Sequence, residues 1–171
     1  MHPIFRQYLF CLLSLLLFPL ATNSQILCTP NEIRTEITIN TSAEQAWQLL
    51  TNFDNYSNWH PYILKVDGEV ELKEKIKVTT IDADSTTDQF SAFILEFDPN
   101  KQLAWGGSLG FIFSARHYFI IEPISDNKIL FIQGEYWHGL FGKNYGKKIY
   151  LETYQKFIAM NEKMKTILEV D

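Results

Sequence analysis

Ile33-Arg34-Thr35-Glu36-Ile37-Thr38-Ile39 alternates apolar and polar side chains with a period of two, which predicts a half-buried strand. Thr41-Ser42-Ala43-Glu44 follows as a capping box, in which Thr41 is expected to accept from the Glu44 amide while Glu44 reaches back. The short helix it opens carries Ala46, Trp47, Leu49, Leu50 and Phe53. Asp54 is expected to cap a second, single-turn helix. That helix must end before Trp59-His60-Pro61, because proline lacks an N–H and disfavours helix in the residue before it. After Pro61 the pattern is strand-like, with candidate strands at 63–70, 75–82, 88–97, 102–109, 113–123 and 129–138. Asp98-Pro99-Asn100-Lys101 and Ser125-Asp126-Asn127 supply turn chemistry, so the strands form an antiparallel meander. From about Lys147 the period becomes helical: Tyr150, Tyr154, Phe157, Ile158, Asn161, Met164, Lys165 and Leu168 recur at helical spacing, with Glu152 and Lys156 as an i,i+4 pair. This predicts one terminal helix of roughly 20 residues, about 30 Å long.

These elements define an α+β fold with a physical consequence. A seven-stranded antiparallel sheet must twist and curl. One long helix and two short ones cover its concave face only in part. The remaining space is either filled by large side chains or left as a cavity for an apolar guest. The aromatic content of 15% fits both outcomes.

Composition and charge narrow the class. Residues 1–24 read as an export signal: Arg6, an apolar run from Tyr8 to Leu17, a break at Phe18-Pro19-Leu20-Ala21, then Thr22-Asn23-Ser24 for cleavage. The apolar stretch is shorter than the roughly 18–20 residues of a spanning helix, and an uncleaved N-terminal anchor facing outside is the alternative. A secreted or periplasmic location is the expectation, with no stable membrane insertion after cleavage. Leu27 before Cys28 argues against lipidation there, and loss of Cys11 with the leader leaves Cys28 with no internal disulfide partner. Residues 25–32 form an N-terminal extension and 33–171 one folded domain. Without the leader the chain carries -6, which argues against binding built on phosphate contacts and hence against nucleic acid.

The candidate chemistry is sparse. Phe113, Ala115, His117, Phe119 and Ile121 share one parity, and so do Ile129, Phe131, Gln133, Glu135 and Trp137. A three-residue Ser125-Asp126-Asn127 connection pairs 124 with 128 and places His117 opposite Glu135, within hydrogen-bonding or ion-pairing reach. The pair is either an acid/base or orienting dyad in an apolar pocket, or a buried structural pair that fixes strand register. His60 is expected at the surface or in a helix cap, and His138 outward. The histidines show no metal-ligand spacing, so neither metal nor cofactor is expected. Asp82-Ala83-Asp84-Ser85-Thr86 matches a phosphatase nucleophile motif, but that chemistry needs a parallel sheet, and a polar hairpin tip is the better reading. Gly106-Gly107-Ser108-Leu109-Gly110 is read as a strand bend or bulge.

The segment from Thr35 through Ala46-Trp47, followed by Leu50-Thr51-Asn52-Phe53-Asp54-Asn55-Tyr56 and Trp59-His60-Pro61, resembles the opening of the START-like (SRPBCC) superfamily. The resemblance is to its polyketide cyclase/dehydrase-like branch. Leu103-Ala104-Trp105-Gly106-Gly107 and His117-Tyr118-Phe119-Ile120-Ile121-Glu122-Pro123, then Phe131, Glu135, Trp137 and Gly139-Leu140, are similar to the later strands of that branch. The likeness covers about residues 34–168 and implies a helix-grip fold, with the sheet wrapped around the C-terminal helix and a hydrophobic cavity. It departs at His60, where the family usually has Asn, and near Glu74, where the family usually has Gly. Joined to the expected leader, it implies an exported protein that binds a lipid-like or polycyclic small molecule. Trp47, Phe53, Trp59, Trp105, His117, Phe119, Phe131, Glu135, Trp137, Tyr154 and Phe157 are then the candidate ligand contacts, although for any one aromatic taken singly a core role is the better reading. The alternative is a cyclase- or dehydratase-like enzyme with His117 and Glu135 as its acid/base pair.

Overall fold

The computed structural model describes residues 31–170. The expected leader, Cys28 and most of the extension lie outside these described residues. The chain runs β1 (Glu32–Ile39), α1 (Ala43–Thr51), a 3-10 turn (Phe53–Asn55), α2 (Tyr56–Trp59), β2 (Ile63–Asp67), β3 (Lys75–Ile81), β4 (Thr87–Asp98), β5 (Gln102–Ser108), β6 (Ser114–Ser125), β7 (Lys128–His138) and α3 (Gly142–Leu168). The strands form one seven-stranded sheet in the order β1-β7-β6-β5-β4-β3-β2, with every pair antiparallel. The meander is therefore as expected, and β1 joins it beside the last strand. The sheet curls into a half-barrel, and α3 packs against β1 and β7 on its inner side and touches α1. Thr35 and Asn161 pin that packing: Asn161 Nδ2 donates to Thr35 Oγ1 at 3.0 Å, and Thr35 Oγ1 donates to the Gln133 carbonyl at 3.3 Å.

Local details differ from the sequence pattern for identifiable reasons. The capping box is shifted by one residue. Ser42, in extended conformation, accepts from the Gln45 amide at 3.2 Å while the Gln45 side chain receives the Ser42 N–H, so Gln45 does what Glu44 was expected to do. Asp54 caps nothing: it lies inside the 3-10 turn, and backbone bonds from Asn55 N–H to Asn52 O and from His60 N–H to Tyr56 O close this stretch. The third helix starts at Gly142 rather than near Lys147. The two glycines that weaken the helical pattern there are required by close packing, since a Cβ on Gly146 would stand 2.8 Å from Trp137 Cε3. β6 and β7 meet in a tighter turn than expected, with Ser125 opposite Lys128, and a bulge between Pro123 and Ser125 then restores the expected register. The turn between β2 and β3 places Lys73 at φ 73, next to Glu74, where the family usually has Gly.

Packing along the half-barrel is uneven. The larger cluster joins the three helices and all seven strands around Leu50, Tyr56, Ile76, Ile94, Leu103, Phe119 and Phe131. A smaller one holds only Ile33, Trp137 and Phe157 as fully buried members, ringed by the half-buried Tyr62, Phe113, Ala115, Ile149, Tyr150 and Tyr154. On the sheet's inner face, opposite buried Val78, Phe90 is 45% exposed. The closed part of the core is at one end of the half-barrel, and the loosely covered part is at the other.

Candidate functional site

Alternation along β6 and β7 carries His117 and Glu135 to the inner face, and the ladder sets them directly opposite each other. Both are half-buried, and both stand at the loosely covered end. The His117 ring stacks on Phe157 of α3 at 4.8 Å, lies 4.5 Å from the Phe119 ring and meets Trp105 edge-on at 5.3 Å. Its hydrogen bond goes to Gln133 and not to Glu135: the amide Nε2 of Gln133 is 3.0 Å from His117 Nε2. An amide nitrogen only donates, so His117 accepts at Nε2 and its neutral ring carries the proton on Nδ1. The same Gln133 nitrogen donates to the Tyr62 hydroxyl at 3.3 Å.

His60 is a correction to the sequence reading as a surface residue. It is the C-terminal cap of α2, but its ring is buried, stacked on Tyr56 at 5.1 Å and set edge-on to Tyr62 at 4.5 Å. Pro61 reverses the chain just after it, so Nδ1 accepts from the Ile63 amide at 3.0 Å and the Tyr62 amide at 3.4 Å. The remaining nitrogen, Nε2, is buried with no hydrogen-bond partner, as is Gln133 Oε1.

Burial sets the protonation states. It pushes His117 down to about 3, and His60 likewise to about 3 with nearby His117 adding to the effect. It pushes the Glu135 carboxyl up to about 7, an effect tempered by the Trp137 side chain, whose Nε1 makes no hydrogen bond of ordinary geometry. The Tyr62 hydroxyl is raised by burial and by the Glu135 charge, against the hydrogen bond from Gln133. At neutral pH the end of the half-barrel therefore presents two neutral imidazoles, a carboxyl at its titration midpoint, a phenol and an amide, all set in aromatic surroundings. Such a set is chemically able to hydrogen-bond a polar group on an apolar molecule, and its carboxyl has the proton affinity of a general acid or base at physiological pH.

The other candidate contacts divide by location. Trp47 packs against Phe97 at 5.4 Å, Phe53 against Trp105 at 5.8 Å, and Trp59 against Tyr56 at 5.4 Å, all in the closed part of the core. Phe119 and Phe131 stack at 6.1 Å between that part and His117. Trp137 and Phe157 are buried beside the polar set, and Tyr154 is half-buried and stacks on Tyr150 at 6.2 Å. His138 is exposed and stacks on Tyr136 at 5.9 Å. Sequence reasoning missed Gln133, Tyr62 and the burial of His60. Gln133 was detectable, because it interrupts the apolar parity of its strand; Tyr62 follows Pro61 at the start of a strand and carries no such signal.

Two other features lie outside this site. Asp82–Thr86 is an antiparallel hairpin tip, with Asp84 Oδ1 accepting from Thr86 N–H at 3.0 Å and Thr86 Oγ1 at 2.6 Å, so the phosphatase-like motif lacks its parallel strand. A groove of about 410 Å3 between the 3-10 turn and β2, bordered by Asp54, Ser57 and Asp67, includes neither His117 nor Glu135. Among the described residues, no group of three or more His, Cys, Asp or Glu is placed to hold a metal ion.

A curled antiparallel sheet closed on a long C-terminal helix, with polar groups set at the open end of its inner face, defines a START-like helix-grip domain. The chain belongs to the polyketide cyclase / dehydrase and lipid transport family, whose model matches residues 30–151. Solved structures agree on the fold. An aromatase/cyclase, Zhui, from Streptomyces sp. R1128 is similar with a TM-score of 0.63 at 13% identity, covering 81% of this chain and 93% of that one. A START superfamily protein from Mycobacterium smegmatis gives a TM-score of 0.60 at 15% identity, covering 80% and 99%. The di-domain aromatase/cyclase BexL of the BE-7585A biosynthetic pathway gives 0.64 at 14%, covering 81% of this chain and 48% of its own. No curated protein matches the chain in sequence.

Proposed function

We propose that the protein is an exported carrier that shelters an apolar or amphipathic small molecule, lipid-like or polycyclic, inside the open end of its half-barrel. The observation that carries this reading is the contrast along the interior: His117, Glu135, Tyr62 and Tyr154 are half-buried at one end, whereas Leu50, Tyr56, Ile76, Leu103 and Phe131 are fully buried toward the other. Buried His60 Nε2 and Gln133 Oε1 lack partners, a donor and an acceptor left for a guest's polar group. Affinity comes mainly from apolar area removed from water, at about 25 cal/mol per Å2, and the polar set orients the guest. The family and the exported leader expected from residues 1–24 are consistent with this. Extraction of the purified protein followed by mass spectrometry, with uptake of a displaceable fluorescent apolar probe, tests it; absence of both a guest and probe uptake refutes it.

A second reading, a cyclase- or dehydratase-like enzyme, is favoured by Glu135, whose carboxyl is pushed to about 7 opposite an unprotonated His117. In that case Glu135→Gln abolishes turnover and spares affinity, whereas a carrier has no turnover to lose.

A further inference from the structure

The end of the half-barrel that exposes the polar set also carries the largest bare apolar side chains of the described residues. The β5–β6 loop presents Leu109 and Phe111, 71% and 82% exposed, and Ile112 beside them. The link from β7 to α3 presents Leu140 and Phe141, 68% and 56% exposed. These loops are one surface and not two. Leu140 N–H donates to the Phe111 carbonyl at 3.1 Å, Phe141 N–H donates to the Ile112 carbonyl at 3.2 Å, and Gly139 takes φ 90 where a Cβ would strike Ile112 O. Apolar side chains this exposed and this contiguous are costly in water unless something covers them.

Charge indicates what covers them. The chain has 20 acidic and 15 basic side chains, yet residues 103–121 and 136–151 contain no Asp or Glu. Directly behind the apolar tip, the exposed face of α3 carries Lys147 and Lys148, followed by Leu151 at 66% exposure. An apolar tip backed by lysines long enough to reach up to headgroups is the pattern of an interfacial membrane contact. Of the acidic groups at this end, Glu135 is half-buried in the interior, Asp82 and Glu152 are both held by Lys156 at 2.6 Å, and Asp84 and Asp88 are exposed on the β3–β4 tip.

We propose that Leu109, Phe111, Ile112, Leu140 and Phe141 insert into the interface of an anionic lipid bilayer, with Lys147 and Lys148 on its headgroups. Docking there sets the open end of the half-barrel, with His117 and Glu135 behind it, against the lipid, so an apolar guest passes between bilayer and interior without crossing water. Among the described residues no helix is long and apolar enough to cross a membrane, so this contact is interfacial. The proposal goes beyond the carrier reading, and surface binding and probe uptake are measured separately.

Vesicle co-sedimentation of the full chain tests it, on phosphatidylcholine alone and on phosphatidylcholine mixed with phosphatidylserine. The expected result is binding to the mixed vesicles that falls about tenfold or more in a Phe111→Ser/Leu140→Ser variant with unchanged circular dichroism. Lys147→Glu/Lys148→Glu is expected to weaken binding to mixed vesicles about tenfold, and added salt to weaken the wild type. Failure of the wild type to bind, or binding that ignores the Phe111/Leu140 change because residues 1–24 supply it, overturns the proposal. So does a dimer in solution that dissociates on the Phe111/Leu140 change, since a second copy would then own the surface. Binding indifferent to both phosphatidylserine and the lysine reversal overturns the anionic assignment.

Discussion

His117 and Glu135 face each other across β6 and β7, yet the imidazole is hydrogen-bonded to Gln133, 3.0 Å away on its Nε2. The carboxyl is thus left beside an imidazole that does not neutralise it. Burial raises the one group and lowers the other, so near neutral pH the pair is an uncharged ring and a carboxyl that gains or loses its proton freely.

Glu135 makes stability fall with rising pH. Its folded-state pKa lies near 7 against an ordinary value of 4.5, so the folded chain holds a proton that the unfolded chain has lost between those limits. Its contribution is complete below pH 4.5 and is gone once pH passes about 7. Glu135→Gln is expected to remove this slope and to add roughly 2–3 kcal/mol above pH 7, read from urea unfolding between pH 5 and 8.

The imidazoles of His60 and His117 act in the opposite sense. Both have folded-state values near 3 against 6.5, so the unfolded chain binds protons that the folded chain refuses. Stability is complete above about 6.5 and declines as pH falls toward 3. Nitrogen-15 NMR of the histidine rings is expected to show neutral His60 protonated on Nε2 and neutral His117 protonated on Nδ1 at pH 5.

Gln133 ties Tyr62 to His117 through one amide nitrogen. Gln133→Leu removes both hydrogen bonds and strands a phenol and a ring nitrogen, at an expected cost of about 1–3 kcal/mol. Probe affinity is expected to fall as well, whereas Trp47→Phe, in the closed part of the core, is expected to leave probe affinity unchanged while costing stability. Equal losses of probe binding in the two variants would sink this division of the interior.

Lys73 holds φ 73 in the β2–β3 turn with no glycine to relieve it. Lys73→Gly is expected to stabilise the fold by about 0.5–1 kcal/mol, measured as a rise in Tm, because only glycine takes a left-handed conformation at no steric cost.

The fold was legible because its elements are written in short-range periodicity. The two-residue alternation of 33–39 and of the six later strands, and the helical spacing of Tyr150 through Leu168, record which face of each element is buried. Even the pairing of His117 with Glu135 followed from parity and a turn of known length, although a tighter turn and a bulge at Pro123 produced that register. Helix starts were less legible: Gly142 and Gly146 weaken the local pattern, and only their contact with Trp137 explains them.

The sequence by itself determined a curled antiparallel meander under one helix, and it set His117 opposite Glu135. Tertiary structure alone decided that His60 is buried rather than exposed, that Gln133 rather than Glu135 is the partner of His117, and which aromatic rings close the core and which leave it open. The physical reason is range. Alternation reports the side of an element that meets other protein, whereas hydrogen-bond partners and unfilled space depend on atoms brought together from distant elements, such as Tyr62, Gln133 and Phe157, and no local pattern encodes those distances.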